Sequence, residues 1–423
     1  MIIGGVDLAE LNDEEVIFFI RIRGKKSYFH SVYSENFIDL FANVRKFRCI
    51  SEYSKDADIR IDLRTADRDW LTREEYDELA SIADIQDVIR RCRGLRAIGY
   101  EEAIRLIARC FLFFDRLFKE EKKLKLVVIG AVDNYVMDLM HRVGTSRGVK
   151  FIGVTDSFMS PEYKLITVRG ELGNLAEVDP AEVDRVHEVL KGRMTAPNNP
   201  SRRQAYFSAA YDLGSYLYRY VMRYLLRYKL MGDVGYEYRF APMLHKFRSL
   251  GQIRATFKLG SFDFSAPHKG KIAYIPLHFY PEATTDYWIH DPFHVNYATS
   301  VTDTVRKLVT MGYTVIVKEH PAYYLARGLE FYRALERQGA VLLDPFVPTK
   351  RLLEAVDLTV VWNGSTGVEA IINKRPVVKI TNSYYGDGLI PYLTTDNMTP
   401  LVADDETGRN VVKTILSTSF RTY

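Results

Sequence analysis

Apolar and polar positions divide the chain into two stretches, each alternating short apolar runs with segments of helical spacing. In the first stretch, residues 15–22 (EVIFFIRI), 58–63, 125–129 (KLVVI) and 150–154 (KFIGV) read as strands. Residues 100–118 (YEEAIRLIARCFLFFDRLF) repeat apolar side chains at helical intervals over a length no ordinary strand reaches, and 134–143 forms a second helix. Residues 179–190 open with Asp179 as a cap and Pro180 in the first turn, the start signal of a third helix. The strand–helix–strand order predicts a parallel sheet with right-handed crossovers. The second stretch begins at Lys271 (KIAYIPL). It continues with a helix over 300–309, a strand at 314–317, a helix over 325–337 and a strand at 341–343. A strand at 358–362, a helix over 367–372 and a strand at 377–380 complete it.

Between the two lies a break. Residues 195–200 (TAPNNP) are a turn-rich linker. Residues 202–258 carry 11 Lys/Arg against 3 Asp/Glu and a tyrosine-dense run, YLYRYVMRYLLRYKL, helical by spacing. Three roles fit this segment: packing between domains, contact with an anionic membrane surface, and stacking on nucleic acid, which no recognition motif supports. The expected organisation is residues 1–195 as a Rossmann-like domain, 196–265 as a basic, aromatic helical linker, 266–400 as a second Rossmann-like domain, and 401–423 as a tail whose helix packs back on the first.

Composition narrows the class. A length of 423 residues exceeds one typical core, and 47% hydrophobic residues suffice for two. A net charge of +4 argues against a dedicated nucleic-acid binder. Cys49, Cys92 and Cys110 are scattered with no metal-ligand spacing, so they read as reduced thiols of a cytoplasmic protein. The acidic start MIIGGVDLAELNDEEV is no signal peptide. No apolar run reaches the roughly 18 residues of a membrane span. The expectation is a cytoplasmic protein with peripheral contact to the inner membrane face through 202–258.

Ligands of an open parallel sheet bind at the carboxyl ends of its strands, and the polar residues of 313–380 collect there. Gly364-Ser365-Thr366-Gly367 joins the strand LTVVWN, which ends in Asn363, to a helix. Glycines let a phosphate approach the backbone, hydroxyls bond it, and a helix start offers free N–H groups. Ser365 or Thr366 would equally serve as an N-cap. Glu369, one turn into that helix, can accept both hydroxyls of a ribose, or simply suit the first turn. His320-Pro321 ends the strand TVIVKE, where an imidazole can donate to a phosphate oxygen, and Lys318 adds positive potential.

The order strand-KEHP, a further strand, then N-G-S-T-G-x-E-A-x5-P-V-V resembles the donor-binding domain of GT-B glycosyltransferases. The His-Pro element narrows the resemblance to the capsule polysaccharide/lipopolysaccharide transferases that include the Kdo transferases, and more distantly to bacterial sialyltransferases. IPLHFYPEATT (275–285) resembles the P-L-x-Y-x-P-E-A-T-T segment of the same group, with His278-Phe279-Tyr280 as a departure. The resemblance covers 271–388 well and 100–175 only in architecture, and the first 95 residues resemble nothing nameable. It implies two Rossmann-like α/β domains facing a central cleft. It also implies that His320, Pro321, Ser365 and Thr366 hold the phosphate and cytidine of a CMP-linked donor, with Glu369 on the ribose.

The implied function is a metal-independent glycosyltransferase moving a sugar, preferably a CMP-activated acid sugar such as Kdo, to a surface polysaccharide or glycolipid. It needs no cofactor beyond the nucleotide-sugar donor. Other readings are a nucleotide-sugar epimerase, a CDP-polyol phosphotransferase, or a non-catalytic subunit of a glycan assembly complex. Acceptor activation calls for a carboxylate at a strand end. Asp133 and Asp156 qualify in the first domain, although Asp133 could cap the helix at 134 and Asp156 could fix a turn. Glu282 is the third candidate, bound to donor hydroxyls or holding a loop.

Overall fold

A computed structural model describes residues 1–3, 5–20, 33–52, 57–63, 68–160, 162–172, 177–193, 201–219, 221–222, 259–264, 270–280, 282–324, 327–385, 388–394 and 399–422. The expected linker at 195–200 and the greater part of the basic, tyrosine-rich segment, including 223–258, lie outside the described residues.

Strands β1 (Ile2–Ile3) and β2 (Val6–Asp7) form a small antiparallel hairpin. β3 (Val16–Ile20), β4 (Arg48–Ser51), β5 (Ile59–Arg60), β6 (Leu126–Gly130) and β7 (Lys150–Asp156) are parallel, in the spatial order β5-β4-β3-β6-β7. β8 (Tyr163–Ile166) adds antiparallel to β7. All five residues of β3 are buried, as expected of a parallel strand covered on both faces. The Tyr100–Glu120 helix covers one face with a stripe that includes Ala103, Ile107, Cys110, Phe111, Phe114 and Phe118. The Tyr135–Ser146 helix packs beside it, capped by the Asn134 side chain on the amides of Val136 and Met137. Helices Arg73–Ile82 and Ile85–Arg91, to which the sequence analysis assigns no element, complete this layer.

The second sheet is parallel throughout: β9 (Ile272–Pro276), β10 (Thr314–Lys318), β11 (Val341–Leu343), β12 (Leu358–Val361) and β13 (Val377–Lys379), in the order β11-β10-β9-β12-β13. Both sheets therefore start at a central strand, run outward to one side, and return to build the other. These are two Rossmann-like domains, with a cleft between their carboxyl edges.

The tail crosses back to the first sheet. The Asp405–Ser417 helix packs against the Pro180–Arg193 helix, and β14 (Ser419–Arg421), which the sequence reading did not resolve, pairs antiparallel with β8 as the edge of the first sheet. Phe420 stacks on Phe37 with ring centroids 4.8 Å apart. A second tie is polar: the buried guanidinium of Arg91 donates to the carbonyls of Asp286 (3.1 Å) and Ile289 (2.6 Å) in the second domain. Arg96 reaches the buried Asp286 carboxylate at 3.3 Å. The three cysteines are buried and form no disulfide among the described residues. No helix among the described residues is long and apolar enough to cross a membrane.

Removing the Phe420 ring leaves a cavity where the tail meets the first sheet. Phe420→Ala should lower the unfolding free energy by about 3 kcal/mol in urea titration, and an unchanged midpoint would mean that the tail contributes nothing to the first domain.

Candidate active site

A cavity of about 460 Å3 opens between the two carboxyl edges. The first domain contributes Ala131 after β6 and Thr155, Asp156 and Phe158 at the end of β7. The second contributes His278 and Glu282 after β9, Lys318, His320 and Pro321 at the end of β10, and Asn363, Gly364, Ser365, Thr366 and Glu369 after β12. The strand order reverses between β9 and β12, and an open α/β sheet has its crevice at that switch point.

The β10 end is a rigid strut. Glu319 is fully buried and bidentate with Arg327 (2.6 and 3.0 Å), and it also accepts from Tyr332 Oη at 2.6 Å and from the His320 amide at 2.6 Å. Its neighbour Lys318 is buried too, donating to Val347 O (3.0 Å) and Thr349 Oγ1 (3.1 Å). Burial pushes the Lys318 ammonium down to about 8, against the opposing pull of Glu369 and Asp344. The Glu369 carboxyl is pushed up by burial, only partly offset by Lys318 and Ser365. Glu369 Oε1 lies 3.4 Å from Ser365 Oγ, while Oε2 is buried with no hydrogen-bond partner among the described residues. A buried carboxylate oxygen without a donor is costly unless a ligand supplies one.

His320 uses Nδ1 to accept the Ala322 amide at 3.2 Å, so its neutral ring carries the proton on Nε2. Burial, reinforced by the neighbouring His278, pushes its pKa down to about 4. It is a neutral donor near pH 7.

The loop after β12 differs from expectation in two respects. Ser365 occupies the N-cap position but makes no capping hydrogen bond, leaving its hydroxyl to Glu369. Gly367 is not in the cavity lining: a Cβ there would overlap Tyr385 Oη, and that hydroxyl donates to Gly364 O at 2.6 Å. Its lack of a side chain serves packing behind the loop. The Thr366–Ile372 helix has seven residues, so its dipole is weak and the loop's own hydroxyls and amides carry any anion contact.

Of the three candidate carboxylates, Asp133 is not in the cavity lining. It accepts from Asn134 Nδ2 at 2.9 Å and pairs with Arg93 at 3.5 Å, while Asn134 rather than Asp133 caps the following helix. Asp156 lines the cavity with its side chain 78% exposed, paired with Lys164 across the β7–β8 register. Glu282 lies 2.9 Å from His278 Nδ1 and accepts from the Thr284 hydroxyl. Burial pushes the Glu282 carboxyl up, but His278 and Thr284 more than offset this and hold it below the ordinary range. His278, which the sequence reading noted only as a departure from a motif, faces the cavity beside it. Among the described residues, no group of three or more His, Cys, Asp or Glu is placed to hold a metal ion.

The family model for capsule polysaccharide biosynthesis proteins matches residues 136–403. No curated protein matches the sequence. Among solved structures, a KpsC beta Kdo 2,7 transferase from Thermosulfurimonas dismutans is similar at 13% identity over 71% of this chain and 78% of that one, with a TM-score of 0.34. A KpsC beta Kdo 2,4 transferase from the same organism is similar at 12% identity over 69% and 79%, with a TM-score of 0.31. A UDP-GlcNAc 2-epimerase from Methanocaldococcus jannaschii is similar at 10% identity over 94% and 98%, with a TM-score of 0.26. Likeness at that level carries no argument about the site.

Two outcomes follow. Gly367→Ala should cost about 1–3 kcal/mol in denaturant unfolding through its overlap with Tyr385; a neutral substitution would show that the loop yields there. An unfolded histidine titrates near 6.5 and folded His320 at about 4, so between these values the unfolded chain binds more protons and stability falls as pH is lowered. His141, also pushed down to about 4 by burial, adds to that loss. His320→Gln should therefore flatten the decline in stability between about pH 6.5 and 4, and an unchanged slope in urea titrations would show that the ring is solvated.

Proposed function

The chain belongs to the family of capsule polysaccharide biosynthesis proteins, and from that premise we propose that it is a GT-B glycosyltransferase using a nucleotide-sugar donor. The preferred donor is a CMP-activated acid sugar such as Kdo, and the acceptor a surface polysaccharide or glycolipid. The observation that carries this reading is Glu369 Oε2, without a hydrogen-bond partner among the described residues and buried at the switch-point cavity beside Ser365, Thr366 and Lys318. A carboxylate so placed takes two hydroxyl donors, as a ribose provides, while the loop hydroxyls and the His320 Nε2–H suit the adjoining phosphate.

In the proposed reaction an acceptor hydroxyl attacks the anomeric carbon, and its proton passes to the Asp156 carboxylate at the cavity rim. The bond between the anomeric carbon and the phosphate oxygen breaks, its electron pair remaining on the phosphate. Hydrogen bonds aimed at that oxygen stabilise the charge that develops there. The protein's own groups meet this charge without a metal. The exposed aromatic side chains of the Arg202–Arg219 helix, including Phe207, Tyr211 and Tyr218, support peripheral contact with an anionic membrane carrying the acceptor.

A thermal-shift screen against CMP, CDP, UDP, GDP and ADP tests the reading. CMP at 100 times its dissociation constant should add about 2.7 kcal/mol of stability. Glu369→Ala should remove most of that shift, and Asp156→Asn should preserve it while slowing transfer by about 10²-fold or more. Stabilisation by UDP or GDP but not CMP would discard the acid-sugar donor, and no shift with any nucleotide would discard the transferase.

A further inference from the structure

His278 is held more tightly than a loop residue requires. Its amide donates to Tyr297 Oη at 2.6 Å, and its carbonyl accepts from Arg327 Nη2 at 2.6 Å, the guanidinium that Glu319 clamps. The preceding amide, that of Leu277, donates to Lys318 O at 2.8 Å. The backbone at the end of the central strand is thus fixed by the elements around it.

Both ring nitrogens are buried without a hydrogen-bond partner among the described residues, yet each has a near neighbour. Nδ1 lies 2.9 Å from Glu282 Oε1. Glu282 is itself steadied by the Thr284 hydroxyl, and its amide donates to Thr285 Oγ1 at 3.1 Å. At the other end, a Cβ added to Gly364 would lie 3.1 Å from Nε2, so the imidazole touches the backbone of the loop that carries Ser365 and Thr366. Nε2 is buried, has no hydrogen-bond partner among the described residues, and belongs to a residue lining the cavity. Any larger residue at position 364 would push the ring away from the loop.

A carboxylate beside one imidazole nitrogen biases the ring's orientation and leaves the far N–H to act on a ligand. His320, on the next strand, lacks such a partner for Nδ1, which is spent on the Ala322 amide. The charged and titratable groups around His278 are Glu282 on its own loop, Lys318, Glu319 and His320 on β10 and its end, and Arg327 beyond it.

We propose that His278, oriented by Glu282, is the group that meets the donor's phosphate, with Glu282 as its positioning residue rather than a base or sugar ligand. This rests on the nucleotide-sugar reading above. As the anomeric C–O bond breaks, its electron pair stays on the phosphate oxygen. The His278 Nε2–H donates a hydrogen bond to that oxygen and keeps its proton, and Glu282, 2.9 Å from Nδ1, positions the ring. His320 adds a second, neutral donor.

The test compares a nucleotide with its phosphate-free nucleoside on full-length protein. Isothermal titration calorimetry would use CMP and cytidine, with UMP, GMP and AMP and their nucleosides as further probes. Wild type should bind the preferred nucleotide at least tenfold tighter than its nucleoside. His278→Gln should lower that ratio by about fivefold or more while leaving nucleoside affinity unchanged, which also shows that the variant folds. Glu282→Gln should lower the ratio in the same direction by a smaller factor. Equal ratios in wild type and His278→Gln would overturn the role of His278 and leave the nucleotide site standing. Parallel losses of nucleotide and nucleoside would make the residue merely structural and overturn it too. If no nucleotide binds wild type, the donor reading falls and this inference with it.

Discussion

A parallel sheet whose strand order reverses at its centre cannot close its carboxyl edge, and the rest of this molecule depends on that constraint. Right-handed crossovers send the chain to opposite faces on the two sides of the central strand, so the loops diverge and leave a crevice. Both sheets obey it, in the orders β5-β4-β3-β6-β7 and β11-β10-β9-β12-β13. The cavity lies where the two crevices meet, and the loops after β6, β7, β9, β10 and β12 all contribute to it. The contacts of Arg91 and Arg96 with the segment that follows β9 hold the edges opposed, and β14 returns the tail to the first sheet.

Burial of charge then sorts the polar residues at those edges into two kinds. Glu319 and Arg327 satisfy one another and Tyr332, so their desolvation is compensated within the fold and they act as a brace. Glu369 Oε2 and both ring nitrogens of His278 have no hydrogen-bond partner among the described residues beside the cavity. The first kind stiffens the wall, and the second leaves polar atoms on it whose hydrogen-bonding capacity is unused among the described residues. A site with pre-oriented groups loses little in reorganisation when charge develops on a bound phosphate.

Much of this was legible in the chain. Continuous apolar runs such as 126–129 and 358–361 became buried strands, and the long amphipathic stretch from 100 became a single helix. The short strands were harder. β14 holds three residues and β8 four, and such pieces are defined by pairing with one another rather than by any periodicity of their own. Cavity residues at strand ends, including His320, Pro321, Ser365, Thr366, Glu369 and Asp156, were found because a strand end is a local feature with a known relation to the crevice. Asp133 shares that local feature, yet Arg93 and Asn134 engage it away from the cavity.

By itself, then, the sequence determined two parallel α/β units and which residues stand at their carboxyl ends, because hydrophobic period and turn chemistry act over a few neighbouring positions. Only the tertiary structure decided what each of those residues does. Gly367 is small because Tyr385, eighteen positions away, lies against it, and His320 is uncharged near pH 7 because partial burial and the nearby His278 disfavour its charged form. His278 points at Gly364 because Tyr297, Arg327 and Glu282 hold it there. Orientation and charge state are set by whatever packs around a side chain, and those neighbours come from distant parts of the chain.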